Sequence, residues 1–363
     1  MPTTVHNLLK TLAFLALAGV ATFWPAHAGV EPTDMLGPLR LRDLTPFALQ
    51  RLDLRPASAA AHYPEGWALE ANLSYTNTFI MSGNVADYLE ARDRRDPLGA
   101  ADFTAFRAME GDAFYFDGSI SVLSLAFHYG VSDSLALYGI LPVHRYHGGS
   151  FDATIESFHQ KAGFSDFGRD LVAQDQFQGF FKIGDRQTAL SEAPRSAGFA
   201  DPVIGVRKRG LNWGAWDVVL ELAAKLPIGA NDPLFSSGHA DIGAQVSVQR
   251  QWANDGLYFS VSYVNFGGSD SFGDAARRHI PSFTAAWETR VAPQTSVILQ
   301  GTASRSLFKG ETHPELAANA YQLSAGIRHQ SGPVHYTFAL TENVVNFNNT
   351  PDIGFHLGVG IAY

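Results

Sequence analysis

The 363-residue chain has no cysteine. That excludes disulfide staples, thiol nucleophiles, thiolate metal sites and a lipid-modified cysteine. Long hydrophobic runs are absent beyond the N-terminus. Mean hydropathy is −0.04 with 46% hydrophobic residues, which gives no sign of helical membrane spans. Basic charge is scarce as well: 26 Lys and Arg against 35 Asp and Glu leave a net charge of −9. No basic stripe exists to meet phosphates, so nucleic acid is not an expected partner; "RRDPLG" and "RKRG" read as loop or strand-end charges.

The single apolar run, "LLKTLAFLALAGVATFW", is bordered by His6 and Lys10 and followed by "PAHA". Ala26-His27-Ala28 fits the small-x-small cleavage rule, so residues 1–28 read as a secretory signal peptide removed before Gly29. An exported chain of this length without disulfides must be stabilised by burial or by its surroundings.

What the chain does have is alternation. In the closing stretch "DIGFHLGVGIAY", Ile353, Phe355, Leu357, Val359, Ile361 and Tyr363 share one face of an extended chain. Asp352, Gly354, His356, Gly358, Gly360 and Ala362 share the other. That separation is the period of a strand, not of a helix. The same contrast runs through "WALEANLSYTNTF", with Glu70 on the polar face. In "WDVVLELAAKLPI" the polar face holds Asp217, Glu221 and Lys225. "DIGAQVSVQ" sets Asp241 against Ile242, and "VHYTFALT" sets His335 against Val334. About twelve such segments recur from Trp67 onwards, each of roughly the 9–11 residues a tilted bilayer-spanning strand needs.

The connections alternate in length. "YGVSDS", "RGLNWGA", "QWANDG", "RVAPQT" and "RHQSGP" are tight turns, whereas the links at 80–111, 146–198, 229–237, 269–278, 307–318 and 344–351 are long. The fold expected is all-β: a transmembrane, antiparallel, up-and-down β-barrel of about twelve strands. Short turns face the periplasm and long loops the exterior. "QFQGFFKIG" lies within a long link and reads as a loop hairpin or extension, not a further span. The apolar faces meet outer-membrane lipid. The polar faces, with Glu70, Asp217, Glu221, Lys225, Asp241, Arg328, His335 and His356, line the lumen. Residues 67–363 form the barrel, and residues 29–66, an N-terminal periplasmic segment, are a candidate lumen plug. Pro38, Pro46 and Pro56 would stiffen it, and Leu36, Leu39, Leu44 and Phe47 would dock. A loose periplasmic tail is the plainer alternative.

Four stretches, "GPLRLRDLTPFAL", "LYGILPVHRYHGGSFDATIESFHQKAGF", "LAAKLPIGANDPLFSSGHAD" and "NTPDIGFHLGVGIAY", together resemble a family of uncharacterised Gram-negative outer-membrane proteins catalogued as a domain of unknown function. The resemblance spans nearly the whole mature chain and implies an outer-membrane location without an activity. The terminal pattern with Phe355, Ile361 and Tyr363 also resembles the signal that barrel assembly machinery reads on its clients.

The most structured loop segment is "GGSFDATIESFHQKAGF". As a helix it puts Asp152, Glu156 and His159 on one face. With His144 and His147 upstream, these residues are candidate general acid and base groups or ligands for a divalent metal. The plainer reading is a short amphipathic helix over the barrel mouth, its polar face solvated or paired with Arg145 and Arg169. No G-x-S-x-G elbow accompanies Ser150 or Ser157. His239 and Asp241 in "SSGHAD" fit turn chemistry. Three functions follow: gated or passive passage of a small solute without a cofactor, an outer-membrane lipid or metal-dependent hydrolase, and a structural or surface-presenting barrel. Mixed signs on the lumen face suit internal salt bridges or a weakly selective pore.

Overall fold

The computed structural model describes residues 35–362 except 46, 60–65, 93, 164–166, 184–185, 195–196, 231–233, 310–313, 344 and 346–350. The signal-peptide reading, Pro46 and Tyr363 therefore lie outside the described residues.

Strand β1 (Trp67–Met81) pairs with β2 (Ala113–Ser132), which pairs with β3 (Leu135–His147). A hairpin of β4 (Gln178–Ile183) and β5 (Arg186–Leu190) extends the top of β2, and the short β6 (Gly198–Phe199) lies on β3. The wall continues through β7 (Val203–Trp213), β8 (Trp216–Lys225), β9 (Asp241–Trp252), β10 (Asp255–Asn265) and β11 (His279–Ala292). It ends with β12 (Thr295–Ser304), β13 (Ala320–Ser331), β14 (Val334–Asn343) and β15 (Ile353–Ala362). β15 then pairs antiparallel with β1, from Ala68↔Ala362 to Asn77↔Ile353, closing a 12-stranded barrel. Closure gives each of the twelve wall strands a partner on both sides, which is what a hydrocarbon environment demands. Among the described residues, only the short β5 and β6, in the extracellular link, have a partner on just one side. The "QFQGFFKIG" segment is a loop hairpin and not a span, as its position implies.

The faces of the strands are sorted as in a membrane barrel. Leu222 is 59% exposed and Ile242 66%, while their neighbours Glu221 and Asp241 are 3% and 0% exposed. A soluble barrel would reverse this arrangement, and so broad an apolar exterior is the lipid-facing band. Two-residue turns join β2–β3, β7–β8, β9–β10, β11–β12 and β13–β14 at the periplasmic end. Trp67, Trp213, Trp216, Trp252 and Trp287 all sit towards that end, forming an interfacial girdle. No helix among the described residues is long and apolar enough to cross a membrane.

The extracellular links hold most of the helix. Helices α1 (Gly83–Arg92) and α2 (Ala100–Ala108) pack Val85, Leu89, Phe103 and Phe106 against Phe79, Tyr115 and Phe180. Helix α3 (Asp152–Ala162) ends at Gly163, whose φ of 73° terminates the helix without strain because glycine has no Cβ.

The described residues of the stretch 35–59 run inside the barrel. Near the periplasmic end, the Gly37 N–H donates to Glu288 (2.8 Å) and Met35 O accepts from Gln251 (2.8 Å). A 3-10 turn at Ala48–Gln50 reverses the chain near the extracellular ends of β8 and β9, where Leu52 N–H donates to Asp241 (2.7 Å). The descending arm reaches Ala59, whose N–H donates to Gln249 (2.8 Å).

Candidate functional site

The lumen is the site with functional geometry, and it is built from the inward faces of the strands. Its charges come in mixed-sign sets. Glu221 accepts from Arg207 and from the Tyr138 hydroxyl (2.6 Å), while the Arg207 guanidinium lies 4.0 Å from the Tyr138 ring centroid. Lys225 stands 3.3 Å from Asp201 and 3.4 Å from Asp241. Arg328 is 3.3 Å from Glu288 and donates to the carbonyls of Gly37 (2.8 Å) and Pro38 (3.1 Å). Glu70 faces Arg40 of the inner segment at 3.5 Å. These sets are almost fully buried, so each charge depends on its partner and hydrogen bonds to offset desolvation.

The histidines at lumen positions are structural in setting. His356 bonds Ser74 (2.8 Å) and Thr341 (3.0 Å), joining three strands across the inner wall. His335 lies over Gly360, where a Cβ would come within 2.2 Å of its ring. Asp217 departs from the expected set. It shares the inward parity of Glu221 but lies exposed one residue after Trp216, where β8 emerges at the periplasmic turn.

The inner segment docks by shape as well as charge. A Cβ on Gly243 would meet Leu54 at 2.9 Å and Leu52 at 3.0 Å, and one on Gly326 would meet Leu39 at 2.8 Å. Glycine thus opens notches in the wall that leucines of the segment fill. Leu39, Leu44 and Phe47 are buried, whereas Leu36 is only half-buried. Between these notches the contact with β9–β14 is largely polar. Arg42, Asp43, Arg51 and Asp53 face a wall that includes Ser262, Thr284, Thr302, Gln322, Ser324 and Thr341, across a crevice of about 30 Å³. A wider cavity of about 190 Å³ opens near the periplasmic end beside Pro38, Arg328 and His335.

The loop candidates Asp152 and Glu156 have different arginine partners. Asp152 accepts from Asn77 (3.0 Å), Arg169 (3.0 Å) and the Asp175 N–H (2.6 Å). Arg169 also holds Asp352 and Asn77, so one guanidinium ties the α3 loop to β1 and to the approach of β15. Burial lifts the Asp352 carboxyl above its ordinary value against the pull of Arg169. Glu156 pairs instead with Arg95 and Gln174 (2.9 Å), and the His159 ring meets Phe167 edge-on at 6.2 Å. His144 is buried on the inner face of β3 between Tyr146 and Phe235. His147 bonds the Ser121 hydroxyl (3.0 Å), not Ser150 or Ser157. Among the described residues, no group of three or more His, Asp or Glu side chains has metal-holding geometry. His239 pairs with Asp270 (3.0 Å), while Asp241 faces inward. Phe355 stacks on Phe151 at 5.5 Å at the rim.

The chain resembles solved outer-membrane barrels. The COG4313 outer-membrane channel from Pseudomonas putida F1 matches with a TM-score of 0.51 and 11% identity, over 86% of this chain and 100% of that one. The Ralstonia pickettii toluene transporter TbuX matches at 0.39 and 11%, over 89% and 99%. The KdgM porin matches at 0.36 and 6%, over 69% and 96%. At these identities the likeness concerns the fold. No curated protein matches the chain in sequence. Residues 97–362 match the family model described as a protein of unknown function, DUF3187. With a closed barrel that keeps apolar side chains outside and ion pairs within, the chain belongs to the DUF3187 family.

Proposed function

We propose that the protein is an outer-membrane channel for a small solute, exported by a cleaved signal peptide and closed in this conformation by residues 35–59. The observation that carries this reading is the way the inner segment is held. Among its described residues it contributes no strand to the sheet and is retained by ion pairs, by hydrogen bonds from wall side chains to its backbone and by glycine notches. Withdrawing it costs no wall ladder, so barrel integrity and occlusion are separable. The surface it would uncover on β9–β14 is lined by hydroxyls and amides, which can solvate a permeating molecule. The hydrolase reading lacks comparable support, because Asp152 and Glu156 are each engaged by a different arginine.

The test is single-channel recording in planar bilayers of the refolded chain from Gly29, with and without residues 31–62. The deletion variant should conduct steadily and the longer chain should remain mostly closed. A folded deletion variant that stays silent would remove the channel reading.

A further inference from the structure

Phe47 stands where the inner segment turns, and its ring is 4% exposed. Three other rings surround it edge-to-face. Phe308 lies at 4.9 Å and 83°, Phe181 at 5.1 Å and 82°, and Phe272 at 5.7 Å and 68°. They come from three different extracellular elements: the β4–β5 hairpin, the β10–β11 link and the β12–β13 link. Phe272 also meets Phe308 at 5.0 Å and 74°, and Phe181 at 6.5 Å and 81°, so the three rings hold one another.

Such a cage does more than bury apolar area. Edge-to-face contacts match the positive edge of one ring to the negative face of another, and an aliphatic group of equal size gains only burial. The cage belongs to the barrel and its loops, whereas the ring inside it belongs to the inner segment, which has no ladder to the wall among its described residues. A cleft of about 20 Å³ runs beside Phe47 and Phe308, bounded also by Thr45, Ser304 and the exposed Arg305. Beyond Phe181, ring contacts continue through Phe116, Phe177 and Tyr146 to Phe235.

We propose that the cage of Phe181, Phe272 and Phe308 binds one aromatic ring of a permeating solute, and that Phe47 holds its place while the channel is closed. This rests on the channel reading above and names its solute class: small molecules carrying a single benzene ring. Solute and Phe47 then exclude one another. A solute that prefers the vacated cage shifts the population towards the withdrawn segment by its difference in affinity for the two states.

The full chain, refolded in detergent, tests this with benzene and cyclohexane as probes. Phe47→Ala opens an apolar cavity of the kind that stays dry and admits benzene. Benzene should raise the melting temperature of this variant and bind at least about tenfold more tightly than cyclohexane. That preference needs only about 1.4 kcal/mol, shared over three edge-to-face contacts. In the unaltered chain, benzene should speed amide exchange across residues 44–52 without affecting strand amides, and cyclohexane should not. Equal binding of the two probes, no binding by Phe47→Ala, or exchange indifferent to benzene each overturns the proposal. If Phe47→Ala does not fold, Phe47→Leu keeps much of the apolar volume without the ring. There benzene should open residues 44–52 at lower concentration than in the unaltered chain, and no difference overturns the proposal. None of these readings depends on conductance. A silent deletion variant would therefore remove the channel reading while ring binding is decided separately.

Discussion

Gly243 sits on the inward face of β9, where side chains of its neighbours project into the lumen but it projects nothing. Leu52 and Leu54 of the inner segment fill that space. Valine suits a strand better than glycine does, so Gly243→Val should leave the wall intact while pushing both leucines out. The expected outcome is unchanged barrel assembly with conductance raised towards that of the 31–62 deletion; a closed, folded variant would refute the docking role. The same logic explains the small inner face of β15. A Cβ at Gly358 would come within 2.5 Å of Asn72, and one at Gly360 would strike His335. Single ion pairs behave differently. Arg207 and Glu221 are each about 1% exposed, so Arg207→Met strands a buried carboxylate at a cost of roughly 3–5 kcal/mol. Adding Glu221→Leu should recover most of that loss, as read from urea unfolding midpoints. Equal stability of the single variant and the parent would mean that water solvates the pair.

At the scale of elements, strands and turns were legible because both signals are local. Alternation needs only i and i+2, and each tight turn carries its own glycine, proline, aspartate or asparagine. The extracellular helices were less so. Residues 80–111 read as loop, because α1 offers little apolar stripe beyond Val85 and Leu89 and is held by rings from β1, β2 and β4. α3 was visible in the sequence, and pairing of its polar face with Arg169 was one of the alternatives it offered beside a solvated face. Arg95, which takes Glu156, was not, since it arrives from a link 61 residues away. The α1–α2 pair carries its own pH dependence. Burial pushes the Asp102 carboxyl upward, but the Gly99 N–H (2.7 Å), Tyr88 (2.9 Å), Arg92 and Arg94 together hold it below its ordinary value. A depressed carboxylate stabilises the fold above its unfolded pKa and loses that contribution as pH falls through its folded value. Amide protection across residues 83–108 should therefore be level from neutral pH down to about pH 4 and decline only below it. Asp102→Asn should remove the decline. A decline that begins near neutrality would assign it to another group.

For the whole molecule, the alternating faces, the order of short and long connections and the absence of cysteine pointed to a membrane barrel of about twelve strands with apolar faces outward, and the closed barrel has twelve. Those properties are set by neighbours in the chain and by the solvent each face must meet. Tertiary structure alone decided what fills the lumen and which side chains meet there. Closure brings Gly37 to Glu288 across 251 positions, and Arg169 to Asp352 across 183. Phe47 reaches rings in three loops that no sequence periodicity connects. Partners so distant are selected by barrel registry and loop packing, and local sequence carries no record of either.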